Sequence, residues 1–301
     1  MTRRANPRRA GVPAAAWLVA AGALAAWLIV SAASADEIPA TSPDHSEPHP
    51  LEMLEQAIEN ARTMMIGQSP HKVVFRQTVA SGDGADSEVR VLHVDTRKAP
   101  EDRLELVAIN GQAASDLERA AYRKERQEQL AAQRAAAADD GREEEDGASV
   151  QILFGNFDIT GASLLPPDPR SDDDEHRIFS LPHGAGAMVK GPAADMAEHM
   201  SMHVRVKTRS NVGPYIDGIS VFNEKSFKPG LIGKVDRFEM DMRFAMIEDP
   251  GLLVPTEMNV SLKARALFKK IESTQRVTYT DHEVHAAEPD QTPEGRGSTQ
   301  Q

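Results

Sequence analysis

The clearest hydrophobic pattern in the chain is a two-residue alternation between positions 235 and 268. Over 238–246, apolar residues occupy every second position and mostly charged residues stand between them. After turn signals at 249–251 and Pro255, the alternation returns over 257–265. Because successive side chains of a strand point to opposite faces of its sheet, this pattern predicts an antiparallel pair of strands with one dry face and one wet face.

Strand-like patterns also occur on both sides of this pair. Residues 72–80 and 88–95 flank a Gly/Asp-rich turn, which predicts a hairpin, and 104–109 ends at the turn dipeptide Asn110-Gly111. Further short strands are predicted at 150–154, 177–181, 200–206, 216–222 and 271–279. The sum is about nine to eleven strands, and we expect strands that are neighbours in sequence to pair as a meander.

Two segments have the pattern of helices. Residues 51–66 place apolar side chains at spacings of three and four, and the segment ends at Gly67 and Pro70. A second helix is predicted from Leu117, opened by the capping box Ser115 to Glu118. Its few apolar residues predict a solvated helix, and the like-charged block 139–147 follows it. We interpret 117–147 as a charged helical insertion.

These elements predict a mainly β protein with flanking helices. We expect a curved antiparallel sheet, a half barrel, with one helix before the first strand and an inserted charged helix. A single amphipathic helix would cover only part of such a sheet, and residual apolar surface is typical of binding sites. The candidate ligand-binding residues on the apolar face are Phe238, Met240, Met242, Phe244, Met258, Val260, Leu262, Val204 and Val206.

The beginning of the chain has the layout of an export signal. Four arginines precede an apolar run over about 14–30, and Ala33-Ser34-Ala35 fits a cleavage site. Residues 1–35 are therefore interpreted as a signal peptide, or as an uncleaved N-terminal anchor. We expect a linker at 36–50, one β-rich domain at 51–284 and a disordered tail at 285–301. Both alternatives predict a periplasmic, exported protein, which stays membrane-anchored if the signal is uncleaved.

Composition narrows the functional classes. The formal net charge of -12 argues against a nucleic-acid partner and against electrostatic docking on anionic lipid. The chain has no cysteine, which excludes disulfides, thiol nucleophiles and thiolate metal sites. No nucleophile, phosphate-binding or zinc-protease motif occurs in a suitable context. We therefore expect no enzymatic activity and no cofactor.

The best candidate for a metal site is the run His199-Met200-Ser201-Met202-His203. Imidazole and thioether ligands together suit cuprous copper. On a strand, however, the two histidines would project to one face and the two methionines to the other. On a helix His199 and His203 would share a face and supply two ligands. Copper binding through His199, Met200, Met202 and His203 is kept as a second alternative function.

The order of these parts resembles that of the periplasmic lipoprotein-localisation factors of the LolA/LolB type and related outer-membrane lipoprotein-sorting proteins. The shared features are the export signal, the helix at 51–66, the meander and the apolar sheet face. Two local features also resemble the family: 106–111 followed by the capped helix at Ser115, and 226–229 before a long amphipathic strand. The resemblance implies a curved sheet that holds acyl chains or a hydrophobic peptide, whereas the insertion at 117–147 departs from that family.

Together these observations predict an exported cell-envelope protein that binds a hydrophobic ligand, a lipid or an acylated protein, on its apolar face. The alternative is an envelope assembly or scaffold protein without a small ligand. In that case the sheet is filled by its own core, and an envelope partner binds through 117–147.

Overall fold

The computed structural model describes residues 49–66, 71–82, 87–139, 159–166, 176–182, 198–228, 233–266 and 269–286. These residues contain two helices, α1 (Pro50–Met64) and α2 (Asp116–Asp139). The strands are β1 (Lys72–Ser81), β2 (Glu88–Asp95), β3 (Leu104–Ile109), β4 (Gln112–Ala113), β5 (Ser163–Leu164), β6 (His176–Leu181), β7 (Ser201–Arg209), β8 (Gly213–Phe222), β9 (Gly233–Ile247), β10 (Leu252–Ala266) and β11 (Lys269–His285).

Several predicted segments lie outside the described residues. They are the signal or anchor at 1–35, most of the linker, the charged block from 140 to 147, the strand at 150–154 and the tail from 287.

Helix α1 forms where the three- and four-residue spacing predicted it. Its start is capped from both sides: the Glu52 carboxylate accepts a hydrogen bond from the His49 backbone N–H at 3.2 Å, and His49 Nδ1 accepts from the Leu51 N–H at 3.4 Å. Pro50 suits the first turn because its missing N–H would have no helical partner there. The buried face consists of Leu54, Ala57, Ile58 and Ala61. The predicted first helix is confirmed.

Helix α2 begins with the predicted capping box. The Ser115 N–H donates to Glu118 Oε2 at 2.8 Å, and the Glu118 N–H donates to Ser115 Oγ at 3.3 Å. Up to residue 132 most of its side chains are exposed, while Arg126 and Leu130 are buried. A solvated helix inserted after the third long strand is therefore confirmed.

All strands of the described residues belong to one antiparallel sheet of eleven strands in the order β4-β3-β2-β1-β11-β10-β9-β8-β7-β6-β5. Strands that are consecutive in sequence pair with each other, as predicted, with one exception. The chain runs from the β4 edge through α2 to the β5 edge, so that β1 pairs with β11 in the interior of the sheet. The sheet does not close, and the predicted fold class is confirmed.

Turn chemistry explains the sharp return between β3 and β4. Asn110 has φ 50° and Gly111 has φ 78°. Two successive positive φ values are what a mirror-image hairpin turn requires, and Asn followed by Gly adopts them at low strain. The turn predicted from this dipeptide is confirmed.

The core lies between α1 and one face of the sheet, which we call the packed face. The buried residues of α1 belong to the same hydrophobic cluster as buried residues of β1–β3 and β6–β11. Helix α1 packs chiefly against β8, with smaller contacts to β5, β7 and β10. The Asn60 side-chain amide also donates to the Pro214 carbonyl at 2.8 Å, which ties the helix to the start of β8.

Candidate apolar ligand site

Strand register determines which side chains share the packed face. Residues that lie directly opposite each other in antiparallel strands point to the same side of the sheet. The central row of the packed face is, in cross-strand order, Val79, Val277, Met258, Met242, Ile219, Val204 and Phe179. The alternation read from 235–268 therefore continues as one apolar row across seven strands.

Burial of the packed face falls along the strands from the central row toward the start of β9. In the central row, Met242 is 2% exposed and Met258 is 1% exposed. One row further, Met240 lies opposite Val260 and Val221, and one row beyond that Phe238 lies opposite Leu262. We define the distal patch as the half-buried apolar side chains at this end, which are Val221, Phe238, Met240, Leu262 and Ile271.

The nine residues predicted as a binding face divide into two groups. Phe238, Met240 and Leu262 belong to the distal patch. The other six, Met242, Phe244, Met258, Val260, Val204 and Val206, are buried within the core cluster. The structure brings the residues of β9 and β10 together. Strand β8 separates them from the two valines of β7.

Sequence reasoning did not assign Val221 and Ile271 to the site. Ile271 shares the packed face because it lies opposite Ala264. Val221 lies opposite Met240, but Gly218 interrupts the alternation of its strand and obscured the pattern. A side chain at position 218 would place its Cβ 2.7 Å from Arg205 Nη2, so the glycine makes room for that guanidinium.

Arg205 belongs to a polar cluster on the other face of the sheet. Its Nε donates to Asp217 Oδ1 at 2.8 Å, and His176 Nε2 contacts the second oxygen of the same carboxylate. A register shift between Arg205 and Val206 places Asp217 in a bulge. The face opposite the packed face is thus stabilised here by paired charges, whereas the packed face is stabilised by apolar contacts.

One part of the packed face carries buried polar atoms. Tyr279 is 4% exposed, and its hydroxyl has no hydrogen-bond partner among the described residues. Burial raises the pKa of this phenol, so it stays neutral. The His282 ring stacks on Phe75 with centroids 5.6 Å apart, and burial lowers the pKa of this imidazole. Both groups favour their neutral forms at neutral pH.

The candidate copper ligands do not converge. Met202 is buried on the packed face, whereas His203 lies on the other face, edge-on to Phe222 at 4.8 Å. His199 precedes β7 and stacks on Phe227 with ring centroids 4.7 Å apart. Burial also lowers the pKa of His203, partly offset by Glu224. Met202 and His203 therefore cannot bind one ion while both remain in strand β7.

A hollow lies between α2 and the β2–β3 hairpin. It has a volume of about 540 Å³. Leu104, Leu106 and Tyr122 supply apolar lining, and charged residues of both signs surround them. Nearby, Val107 is 37% exposed and Leu117 is 81% exposed. This groove is a second candidate for contact with another molecule.

Comparison with protein-family models, with curated proteins and with solved structures finds no match to this chain. The resemblance to the LolA/LolB type thus remains a prediction from the order of the parts. Neither of the described helices is long and apolar enough to cross a bilayer.

Proposed function

We propose that the protein binds a hydrophobic ligand, the acyl chain of a lipid or of an acylated protein, along the distal patch. The observation that carries the proposal is the fall in burial along β9 and β10. Met242 and Met258 lie in the core, and Phe238, Met240 and Leu262 are half-buried on the same face of the same strands.

Element lengths support the proposal. Helix α1 has 15 residues and is therefore about 22 Å long at a rise of about 1.5 Å per residue. Strands β9 and β10 have 15 residues each and reach about 50 Å at about 3.3 Å per residue. A helix about 10 Å wide that packs chiefly against β8 cannot cover this length of sheet.

The chemistry of the distal patch suits an acyl chain. Met240 is flexible and polarizable, and beside it Phe238 provides aromatic surface and Leu262 branched aliphatic surface. Each methylene of a ligand that leaves water for such a surface contributes about 0.8 kcal/mol. A few methylenes along the patch would therefore yield measurable affinity, without any catalytic group.

The test is binding of a fluorescent fatty-acyl probe to the full chain, together with extraction of lipid that copurifies with it. Phe238→Asp and Leu262→Asp should each weaken probe binding roughly thirtyfold, because a carboxylate in the patch loses about 2 kcal/mol of apolar contact. Ala245→Asp is the matched control, since Ala245 is exposed and lies on the other face of β9. It should leave affinity unchanged.

Two results would contradict this function. One is the absence of both copurifying lipid and probe binding in the wild-type chain. The other is an equal loss of affinity in the Ala245 control and in the two patch variants. Such a loss would mean that probe binding depends on the net charge or the stability of the protein and not on the distal patch.

The groove beside α2 favours a second candidate function, assembly of an envelope complex through the 117–147 insertion. Leu117 is the most exposed of the large apolar residues in the described part of the chain, and it lies in the first turn of α2. Exposed apolar residues beside a groove are typical of protein contacts.

This second candidate predicts a partner in envelope extracts that crosslinks to α2. Leu117→Asp should abolish the crosslink without changing the melting temperature, because Leu117 makes no core contact. The exposed Glu128→Ala on the same helix is the control and should retain the crosslink. Retention of the crosslink in Leu117→Asp would reject this surface.

A further inference from the structure

The outer face of the sheet carries a row of like charges at one end of its three longest strands. Lys234 of β9 lies directly opposite Arg265 of β10, and Arg265 lies directly opposite Lys270 of β11. Like charges at directly opposed positions of neighbouring strands are destabilising.

The positive charge extends beyond this row. We call residues 233–239, 261–266 and 269–274 the basic end of the sheet. It contains six basic and three acidic residues, in a chain whose formal net charge is -12. Asp236 contacts Lys234 at 2.7 Å and Arg265 at 3.0 Å, and Glu272 contacts Lys270 at 3.0 Å. These acidic groups reduce the repulsion between the cations, and a surplus of three positive charges remains.

The opposite end of the same strands carries four exposed acidic residues, two of which are paired: Glu248 contacts Arg209 at 2.8 Å and Asp281 contacts Arg76 at 3.5 Å. Glu248 and Asp249 lie in the turn between β9 and β10, and Asp281 and Glu283 lie near the end of β11, all of them exposed. Strands of this length separate the two ends by about 40–50 Å, whereas salt screens exposed charges beyond about 8–10 Å. A partner near the basic end therefore experiences the local surplus of cations and not the net charge of the chain.

The basic end coincides with the distal patch. Phe238 and Leu262 lie on the packed face, and their chain neighbours Arg237 and Lys263 lie opposite each other on the outer face. One end of the sheet thus presents five of its six basic residues on the outer face, and apolar side chains together with Lys269 on the packed face. This is the combination that an interface between anionic headgroups and acyl chains would attract.

We propose that the basic end docks on the surface of a bilayer that contains anionic phospholipid. With the strand ends directed at the bilayer, the cations of the outer face and the distal patch of the packed face both reach the membrane interface, where the patch collects or delivers acyl chains. The role given to the distal patch rests on the proposed function, whereas docking itself rests on the distribution of charge. Nucleic acid also attracts cations, but its backbone offers no apolar surface to the patch.

The first experiment is sedimentation of the full chain with vesicles of phosphatidylcholine alone or mixed with phosphatidylglycerol. Arg265→Glu/Lys270→Glu is compared with Arg123→Glu/Lys124→Glu, which makes the same charge change on the exposed surface of α2. All chains share the apolar run within residues 1–35, so its contribution cancels in the comparison.

We expect the wild-type chain to prefer phosphatidylglycerol vesicles and to lose this preference at high salt. The variant of the basic end, which lacks two cations, should bind them about thirtyfold more weakly, and the α2 variant should bind within twofold of wild type. The proposal is overturned if the wild type shows no preference for anionic vesicles, if both variants lose binding equally, or if duplex DNA competes as well as anionic lipid.

A local probe supplies a second readout. Because the chain has no cysteine, Ala264→Cys can carry a single environment-sensitive fluorophore on the packed face of the basic end. Its emission should shift to the blue on anionic vesicles, while the same label on Ala245→Cys, toward the opposite end of β9, should not respond. A response of both labels, or of neither, overturns docking through this end.

The acyl-probe assay separates this inference from the proposed function. Arg265→Glu/Lys270→Glu should keep probe affinity within twofold, because neither side chain lies on the packed face. If the wild type binds the probe and does not sediment with anionic vesicles, docking fails and the proposed function stands. If it sediments and does not bind the probe, the proposed function fails and docking stands.

Discussion

The central row and the distal patch of the packed face are built from the same kinds of residue on the same strands, yet they differ in burial. Near the middle of β9 and β10, Met242 and Met258 are buried in a cluster that includes α1. Toward the start of β9, Phe238 and Leu262 have the same alternation and comparable side chains but are half-buried. The comparison shows that an apolar pattern identifies a face, and that the covering element decides which part of that face is buried and which part stays half-buried.

The largest expected effect comes from placing a charge at matched positions of the two ends. Met258→Asp should cost at least about 4 kcal/mol, because an unpaired carboxylate would be buried in the core. Leu262→Asp should cost about 1 kcal/mol, because its carboxylate can reach water. Urea unfolding measures both values.

If Met258→Asp does not fold, Met258→Ala provides the value for the core end, where a loss of about 3 kcal/mol is expected. Similar losses at positions 258 and 262 would mean that the distal patch is as well covered as the core, and the proposed ligand site would be withdrawn.

The second prediction concerns the element that covers the core. Leu54 is fully buried at 0% exposure on the inner side of α1, and Leu54→Ala should cost about 3 kcal/mol through lost contact and a residual cavity. Glu55→Ala, one residue further on the exposed side, should change stability by less than about 0.5 kcal/mol. Thermal unfolding compares the two, and equal effects would place the main core elsewhere.

The third prediction uses pH to distinguish the stability of the folded core from ligand binding at the distal patch. Burial lowers the pKa of His282 and of His203 below the ordinary value of 6.5, so the unfolded chain takes up protons first as the pH falls. Stability is therefore at its full value above pH 6.5 and declines below it, until the folded protein also binds protons.

His282→Gln should make the loss of unfolding free energy below pH 6.5 shallower, as measured by urea unfolding from pH 7.5 to 5. His203 should account for part of the remaining loss. Binding of an uncharged acyl probe to the distal patch should not change over this range, because the patch contains no titratable side chain. If His282→Gln leaves the pH dependence of stability unchanged, His282 is not the source of that dependence.

The smallest effect is expected from a hydroxyl group. Tyr279→Phe should leave stability unchanged or raise it by up to about 1 kcal/mol, since it removes a buried donor that has no partner among the described residues. Phe238→Tyr adds a hydroxyl at the half-buried end and should be neutral, because that oxygen can reach solvent. Calorimetry measures the stability of both variants. A clear loss of stability in Tyr279→Phe would reveal a hydrogen bond to the Tyr279 hydroxyl.

Much of the fold was predictable because its signals are local. The Ser115–Glu118 capping box, the Asn110-Gly111 turn and the alternation in β9 and β10 each depend on a few neighbouring residues, and each is confirmed. The position of β11 in the middle of the sheet was not predictable in this way. Its pairing with β1 joins residues about two hundred positions apart, and no local pattern specifies such a partner.

The sequence predicted which face of the sheet carries the candidate site, but not where on that face the site lies. The nine predicted residues alternate correctly, yet six are core and three belong to the distal patch. Alternation reports the side of the sheet to which a residue points. It does not report where α1 ends, or that Lys234, Arg265 and Lys270 meet in one row.

The sequence by itself determined the strand faces, the caps, the tight turns and the mainly β class, because these follow from spacing and from the backbone preferences of adjacent residues. The tertiary structure alone decided which apolar residues α1 buries, which remain half-exposed, and which cations come to lie side by side. The reason is physical: burial and charge density depend on distances between segments that are remote in sequence, and folding sets those distances through packing.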